Sequence, residues 1–367
     1  MSGGVDSSVA ALLVAREGAE AIGVSMHLWN HDRDGSGAGE GRCCTLDDLS
    51  TARRAADVIG IPHYILNMED EFKDSVVRPF AESYLSGETP IPCVICNTDV
   101  KFMGLLARVR GLGCEALVTG HYARIAPDPG SEFPKLLKAR DLERDQTYFL
   151  YGLTPDQLQT VRFPLGGLLK SEVRQMAREA GLPNWGKPDS QEVCFIRKGE
   201  GPGDFIRREA EWLGIPLPTR PASQAGDIVD RQGHTLGRHQ GVFPYTVGQR
   251  RGLGVATGKP LYVLEVLPSR GQVVVGSEED LLSTRVRLTG VNWLGGLVPV
   301  ATRRVRARVR YRHQEQGAQL RLEEVIGGLE AELVFDEPVR AATPGQSAVF
   351  FDDEEPDRLL GGGIIRS

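Results

Sequence analysis

Met1-Ser2-Gly3-Gly4-Val5-Asp6-Ser7-Ser8 opens the chain and passes at once into the apolar run Val9-Ala10-Ala11-Leu12-Leu13-Val14. Paired glycines let a backbone bend so that successive N–H groups converge on an anion, and a helix N-terminus adds positive potential there. Ser2, Ser7 and Ser8 bring hydroxyl donors, and Asp6 carries a carboxylate suited to ordering the loop or helping to hold Mg²⁺. The same residues also describe an ordinary Ser/Asp-capped helix, and both readings stand on this stretch alone. No Gly-Lys-Ser/Thr follows, so this is not a Walker loop.

Outward from the loop, short apolar runs alternate with helical ones to about residue 125. Residues 21–26, 63–66 and 116–119 read as strands, and 46–59 and 99–109 as helices. This alternation predicts a parallel sheet covered on both faces, with ligands at the C-terminal ends of its strands. A phosphate loop of this kind ordinarily follows a strand, so we expect a start that lacks roughly ten residues. Gly35–Gly41 reads as a flexible loop, and 154–182 as helical, with Ser171 as N-cap and Gly181-Leu182-Pro183 as the stop. Beyond about residue 200, Gly and Pro punctuate period-2 runs such as 261–266, 272–275 and 320–322, which read as all-β. The predicted organisation is an α/β domain over 1–200, a small β domain over 201–278 and a β-barrel-like domain over 279–367.

No apolar run in the 367 residues approaches the ~18 of a membrane span, and no signal peptide precedes the first motif. A cytoplasmic protein, monomeric and without membrane contact, is expected. Six cysteines without a secretory signal argue for thiol chemistry or metal binding over a disulfide scaffold. Cys93-Val94-Ile95-Cys96 is open to three readings: a redox pair, half a zinc site, or chance. Cys194, close to Arg197 and Lys198, is either a thiol activated by those cations or a buried structural residue. The adjacent Cys43 and Cys44 are poorly spaced for mutual pairing, and Cys114 reads as core.

The net charge of −6 speaks mildly against nucleic acid, but distribution decides. In Thr302–Arg312 every even position from 304 to 312 is Arg, while Val305, Ala307, Val309 and Tyr311 fill the odd ones. On a strand this sets five cations on one face and an apolar stripe on the other. Without interleaved acids, such a face suits an RNA backbone better than plain solvent.

Taken in order with the opening loop, seven further strings carry a resemblance. They are Thr89–Asn97 (TPIPCVICN), Thr119–Tyr122 (TGHY), Asp145–Leu150 (DQTYFL), Val193–Ile196 (VCFI), Val247–Gly254 (VGQRRGLG), Val309–Arg312 (VRYR) and Thr343–Ser347 (TPGQS). Together they resemble the bacterial tRNA-specific 2-thiouridylases of the PP-loop ATP pyrophosphatase superfamily. The resemblance implies an adenine nucleotide alpha hydrolase-like first domain and 2-thiolation of the wobble uridine 34 in tRNAs for Lys, Glu and Gln, driven by ATP and Mg²⁺. Uracil O2 would be adenylated, Cys194 would carry sulfur as a persulfide, and Cys96 would release it, leaving a transient Cys96–Cys194 disulfide. ATP would contact Ser2, Gly3, Gly4, Val5, Asp6, Ser7, Met26 and Gly120. The tRNA would meet Ile91, Pro92, Cys93, His121, Arg144, Asp145, Gln146, Arg310, Tyr311 and Gln346. A cysteine desulfurase or sulfur-relay protein would supply the sulfur.

The chain departs from the family at Ile91-Pro92-Cys93, where many members carry Asn-Pro-Asp. The Asp is a candidate acid/base, so proton transfer at this point is in doubt. The change also brings a third thiol, and Cys93, Cys96 and Cys194 together would suit a [4Fe–4S] cluster with one open iron. The rivals are another PP-loop ATP-dependent ligase and a non-catalytic RNA-binding protein.

Overall fold

The computed structural model describes residues 1–30, 45–189, 193–216, 224–255, 258–299 and 301–366. The glycine-rich 35–41 stretch and Cys43-Cys44 lie outside the described residues. Helix α1 (Val5–Arg16) starts directly on the glycine pair, with extended Gly4 as N-cap and Asp6 in the first turn. Strand β1 (Gly23–His27) leads to α2 (Leu46–Ile59), which Thr45 and Asp48 open with a reciprocal capping box and Gly60 closes in the left-handed conformation. β2 (His63–Asn67) then runs parallel to β1.

Two long helical runs follow, each interrupted by wide winding. α3 (Glu69–Phe72) passes through a π-helical turn at Lys73–Val77 into α4 (Arg78–Leu85). α5 (Pro92–Ile95) continues as a π-helical stretch, Cys96–Leu105, into α6 (Leu106–Gly111). The helix expected over 99–109 is therefore present, but it begins earlier, at Pro92, whose fixed φ suits a helix start. Its π-wound part begins at Cys96.

β3 (Leu117–Val118) pairs in parallel with β6 (Val161–Arg162), while β4 (Ala123–Ala126) and β5 (Lys135–Lys138) form a hairpin between them in the chain. Parallel strands are present as expected; among the described residues of the first domain they make two separate pairs, β1–β2 and β3–β6. The 154–182 region is not one helical stretch. Pro155–Leu158 is a single turn, α7, and α8 spans Lys170–Glu179, with β6 between them. Ser171 lies inside α8; the cap position is Leu169, whose N–H donates to the Glu172 carboxylate at 2.6 Å. Gly181, at φ +67°, follows the helix as a left-handed stop.

The stretch after residue 200 opens with a helix, not a strand. α9 (Pro202–Leu213) buries Phe205, Ile206, Ala210 and Leu213 at helical spacing. Phe205 packs among Trp29, Phe80 and Phe195 with ring centroids 5.0 to 6.4 Å apart. The largest apolar cluster thus joins the first domain to the next one. A four-stranded sheet follows: β7 (Gly226–Val229), β8 (Thr235–His239), β9 (Tyr262–Leu267) and β10 (Gln272–Gly276), in the order β8-β7-β10-β9.

The last unit is a closed six-stranded barrel. It comprises β11 (Leu282–Trp293), β12 (Arg303–Arg308), β13 (Gln316–Val325), β14 (Gly328–Arg340), β15 (Ser347–Asp352) and β16 (Leu359–Ile365), ordered β11-β14-β13-β12-β15-β16. Closure leaves no free sheet edge. Its interior takes the odd residues of the arginine strand, Val305, Ala307 and Val309, with Leu320, Leu333 and Phe350. Each fully buried Val, Leu or Phe here contributes about 1.5–3 kcal/mol.

Five ion pairs fasten the barrel to the first domain: Arg124–Asp357 (2.6 Å), Lys135–Glu355 (2.6 Å), Lys138–Glu315 (2.7 Å), Arg358–Asp128 (2.5 Å) and Arg308–Asp145 (3.0 Å). Among the described residues, no helix is long and apolar enough to cross a membrane.

Candidate active site

The opening loop has the geometry of an anion cradle. Gly3 adopts φ +75°, and a Cβ there would lie 2.5 Å from the Asp48 carbonyl oxygen, so α2 closes one side of the turn. Gly120, just after β3, approaches from the other side, where a Cβ would sit 2.6 Å from the Asp6 carbonyl carbon and 2.7 Å from the Ser7 nitrogen. Side chains larger than hydrogen would push either wall off the loop. Ser7 Oγ accepts from the Ser2 N–H at 2.9 Å and lies 3.2 Å from Ser2 Oγ. The Ser7 and Ser8 hydroxyls both donate to the Gly4 carbonyl at 3.2 Å, and Ser8 is fully buried.

Several residues that the sequence reading left unassigned complete this locus. Lys170, at the first position of α8, donates to both Asp6 oxygens at 2.7 and 2.8 Å and pairs with Asp189 at 2.7 Å. Tyr122 donates its hydroxyl to Asp6 at 2.9 Å, and burial beside that carboxylate raises its pKa well above the usual phenol range. The buried Asn184 amide donates to the Gly3 carbonyl (3.1 Å) and to Ser8 Oγ (3.0 Å), while its own oxygen is buried without a partner. Lys187 bonds the Asp48 carboxylate and reaches the Gly3 carbonyl at 3.5 Å. Asp189 stands five residues before Cys194 in the sequence and carried no assignment there. Lys170 and Asn184 gave no local signal, because only the fold brings them within reach of residues 3 to 8.

Met26 is the penultimate residue of β1, partly buried against the main apolar cluster. Cys96 is buried, Cys194 half-buried and Cys93 exposed, and none of the three is in a disulfide. Cys96 and Cys194 pack into the same apolar cluster. Asn97 anchors the start of the π-helical stretch, donating to the Phe149 carbonyl at 3.1 Å and accepting from Lys101 at 2.8 Å. Wide turns of this kind often mark functional positions in helices. Among the described residues, no group of three or more His, Cys, Asp or Glu is arranged to hold a metal ion, and nothing in the arrangement of Cys93, Cys96 and Cys194 supports the cluster reading.

The residues expected to meet RNA are used differently from one another. His121 sits between the rings of Phe102 and Phe163, with Nδ1 2.8 Å from Thr119 Oγ1. Burial, aided by the Lys101 charge, holds its pKa well below the imidazole range, so the ring is neutral. Arg144 pairs with Asp189 at 2.8 Å, and Gln146 accepts from the Tyr122 N–H at 2.9 Å. Half-buried Tyr311 packs on Phe149, their centroids 4.5 Å apart. Ile91 is partly buried and Pro92 buried at the start of α5. Asp145 is engaged within the protein. It is enclosed, accepts from the Ala139 N–H (3.1 Å) and Thr147 hydroxyl (2.6 Å), and pairs with Arg308.

Nor is the arginine run an open cationic ridge. Arg304 pairs with Asp336, Arg306 with Glu315 and Arg308 with Asp145. The strand ends at Arg308, and Arg310 turns inward to donate to Thr343 Oγ1 (2.7 Å) and the Val247 carbonyl (3.3 Å). The neutralising acids come from other strands and loops, out of sight of a single-strand reading.

Three family models cover the chain. Residues 1–198 match a tRNA methyl transferase HUP domain, 217–277 a tRNA methyl transferase PRC-barrel domain and 283–365 an aminomethyltransferase beta-barrel domain. Curated relatives carry a different activity in their names. The tRNA-specific 2-thiouridylase MnmA of Solibacter usitatus is 47% identical over 371 residues, spanning all of this chain and 97% of that protein. Its counterpart in Acidobacterium capsulatum is 44% identical over the same shares, and that of Methylorubrum extorquens is 47% identical over all of this chain and 92% of its own. Among solved structures, NMN synthetase from Francisella tularensis is matched at a TM-score of 0.30 and 17% identity, over 59% of this chain and 76% of that one.

Proposed function

The chain belongs to the tRNA-specific 2-thiouridylase (MnmA) family, and from that premise we propose that it catalyses ATP-dependent 2-thiolation of uridine 34 in tRNAs for Lys, Glu and Gln. The observation that carries the reading is the pairing, in one chain, of a phosphate cradle with two reduced thiols, Cys96 and Cys194, in one apolar cluster.

Adenylation makes a poor leaving group into a good one. Uracil O2 attacks the α-phosphorus of ATP, pyrophosphate leaves, and C2 becomes open to a sulfur nucleophile. The N–H groups around Gly3 and Gly4 and the start of α1 receive the phosphates. The Asp6 and Asp189 carboxylates, brought together on the Lys170 ammonium, would hold a Mg²⁺ ion, which commonly takes one or two carboxylates plus substrate phosphates. That ion neutralises phosphate charge when bound. Lys170 already bridges the two carboxylates and serves as their counter-charge.

Sulfur then arrives as a persulfide on Cys194. The terminal sulfur attacks C2, and the Cys96 thiolate attacks Cys194 Sγ, cleaving its S–S bond and passing that electron pair to the sulfur now held at C2. AMP departs with O2, and a Cys96–Cys194 disulfide remains for reduction by an external thiol. The enzyme acts in the cytoplasm and takes its sulfur from a cysteine desulfurase or a relay protein.

Incubation with unmodified tRNA, ATP–Mg²⁺ and a persulfide source, followed by mass spectrometry of U34, tests the reading. Cys96→Ser and Cys194→Ser are each expected to abolish thiolation while tRNA-dependent pyrophosphate release, the mark of adenylation, persists. Thiolation by either variant would overturn the assignment. ATP-independent RNA binding without AMP release would favour a non-catalytic role.

A further inference from the structure

The segment leading to Cys96 is pinned from outside its own domain, at two points. Gly87 lies against the central sheet, where a Cβ would be 2.7 Å from the Val266 carbonyl oxygen. Thr89 is held by the barrel through both of its backbone groups. Its N–H donates to the Pro344 carbonyl at 2.9 Å, and its carbonyl accepts from Gln346 Nε2 at 2.7 Å. Gly345, at φ +84°, permits the approach, because a Cβ there would sit 2.9 Å from the Thr89 nitrogen.

The barrel loop that does this is itself fixed on every side. Thr343 is buried, accepts from Arg310 and donates to the Ala341 carbonyl at 3.0 Å. Gly345 N–H donates to the Ile365 carbonyl (3.0 Å), and Ile365 N–H returns to the Gln346 carbonyl (2.7 Å). Tyr148 donates to the Ser347 carbonyl at 2.8 Å. Ala341, at φ +52°, is the only non-glycine residue with positive φ among those described, a conformation retained where surroundings over-determine the backbone.

From Thr89 to Cys96 little freedom remains. Pro90 and Pro92 each fix their own φ and restrict the residue before them, and Pro92 begins α5, one helical turn ahead of Cys96. Placing Thr89 therefore places Cys96.

We propose that Gly345 and Gln346 are positioning residues for Cys96: the Thr343–Ser347 loop of the barrel clamps Thr89 and thereby sets where the Cys96 thiol stands. The proposal rests on Cys96 being the reacting thiol, as read above. It gives Gln346 a duty within the protein in place of the RNA contact expected from its motif.

The test uses the full-length chain with Gln346→Met and Gly345→Ala. Iodoacetamide labelling without tRNA or ATP, read by peptide mass spectrometry, gives the Cys96 rate relative to Cys194 in each. Loss of one hydrogen bond raises the Cys96 rate about five-fold in Gln346→Met, and the backbone displacement raises it more than about ten-fold in Gly345→Ala. Cys194 labelling and the melting curve serve as controls for general loosening. In steady-state thiolation, kcat falls by similar factors while KM for tRNA stays within about two-fold. A raised KM at unchanged kcat, with unchanged Cys96 labelling, would overturn the proposal and return Gln346 to the RNA. Cys96→Ser separates the two layers: retained thiolation in that variant removes the reacting-thiol reading, whereas the labelling ratio reports on the clamp in either case.

Discussion

The opening loop and the arginine strand both present themselves in sequence as places for a polyanion, and the structure treats them in opposite ways. At the loop, Gly3 and Gly120 lack side chains, so the turn at residues 3 to 7 is approached closely by backbone, and the charged side chains that reach it from elsewhere, Lys170 and Lys187, are cations. At Arg304, Arg306 and Arg308, neighbours crowd in, and carboxylates from β14, from the segment before β13 and from the first domain take up the guanidinium groups. Backbone donors at a helix start belong to the local chain and stay where the sequence puts them. Whether a side-chain charge is available depends on partners that the local sequence does not contain.

The sharpest way to break this contrast is at the loop. Lys170→Met leaves the Asp6 and Asp189 carboxylates without their shared cation, which we expect to cost about 4 kcal/mol in urea unfolding. We also expect ATP-dependent pyrophosphate release to fall by at least ~100-fold. Wild-type release rates from this variant would mean that the cradle works without its counter-charge.

Next in size is the arginine strand. Arg308→Met strands the buried Asp145 carboxylate and is expected to cost about 3 kcal/mol. The exposed Arg304→Gln is expected to leave the melting curve unchanged. Neither is expected to alter the salt dependence of tRNA binding. If the run gripped phosphates, each loss would lower the slope of log K against log salt by about 0.9, and that outcome would restore the open ridge.

The smallest effect is in pH. His121, and also His63, His239 and His313, have pKa values lowered mainly by burial. The unfolded chain takes up these protons near pH 6.5 and the folded chain does so only lower. Their contribution is therefore complete above 6.5 and declines as pH falls below it. Depressed carboxylates such as Glu200 and Asp280 act in a separate window, below pH about 4.5. His121→Gln is expected to flatten the stability slope between pH 6.5 and 5.5 by at most ~1.4 kcal/mol per pH unit. An unchanged slope would show that His121 is protonated at its usual pH.

Much of the architecture was legible because it rests on short-range pattern. The period-2 alternation at 305, 307 and 309 marks a barrel interior, and the strand-helix alternation to residue 125 marks parallel strands. The breaks in 154–182 were not visible, since helical composition there did not register the short strand that pairs with β3. α9 was missed because the Gly- and Pro-rich surroundings masked the helical spacing of Phe205, Ile206, Ala210 and Leu213. At the site, the residues of the loop itself could be named from sequence. Lys170, Asn184 and Lys187 act on it from more than a hundred and sixty positions away and became visible only once folded.

Asp48 does several jobs at one spot: it caps α2, receives Lys187, and lends its backbone as the wall beside Gly3. Asn184 meets the same glycine from the opposite strand of connections. Positions 3, 48, 184 and 187 thus make one unit of inheritance. Chimeras that draw these four from different parents should show non-additive penalties, even though each substitution taken alone is tolerated in its own background.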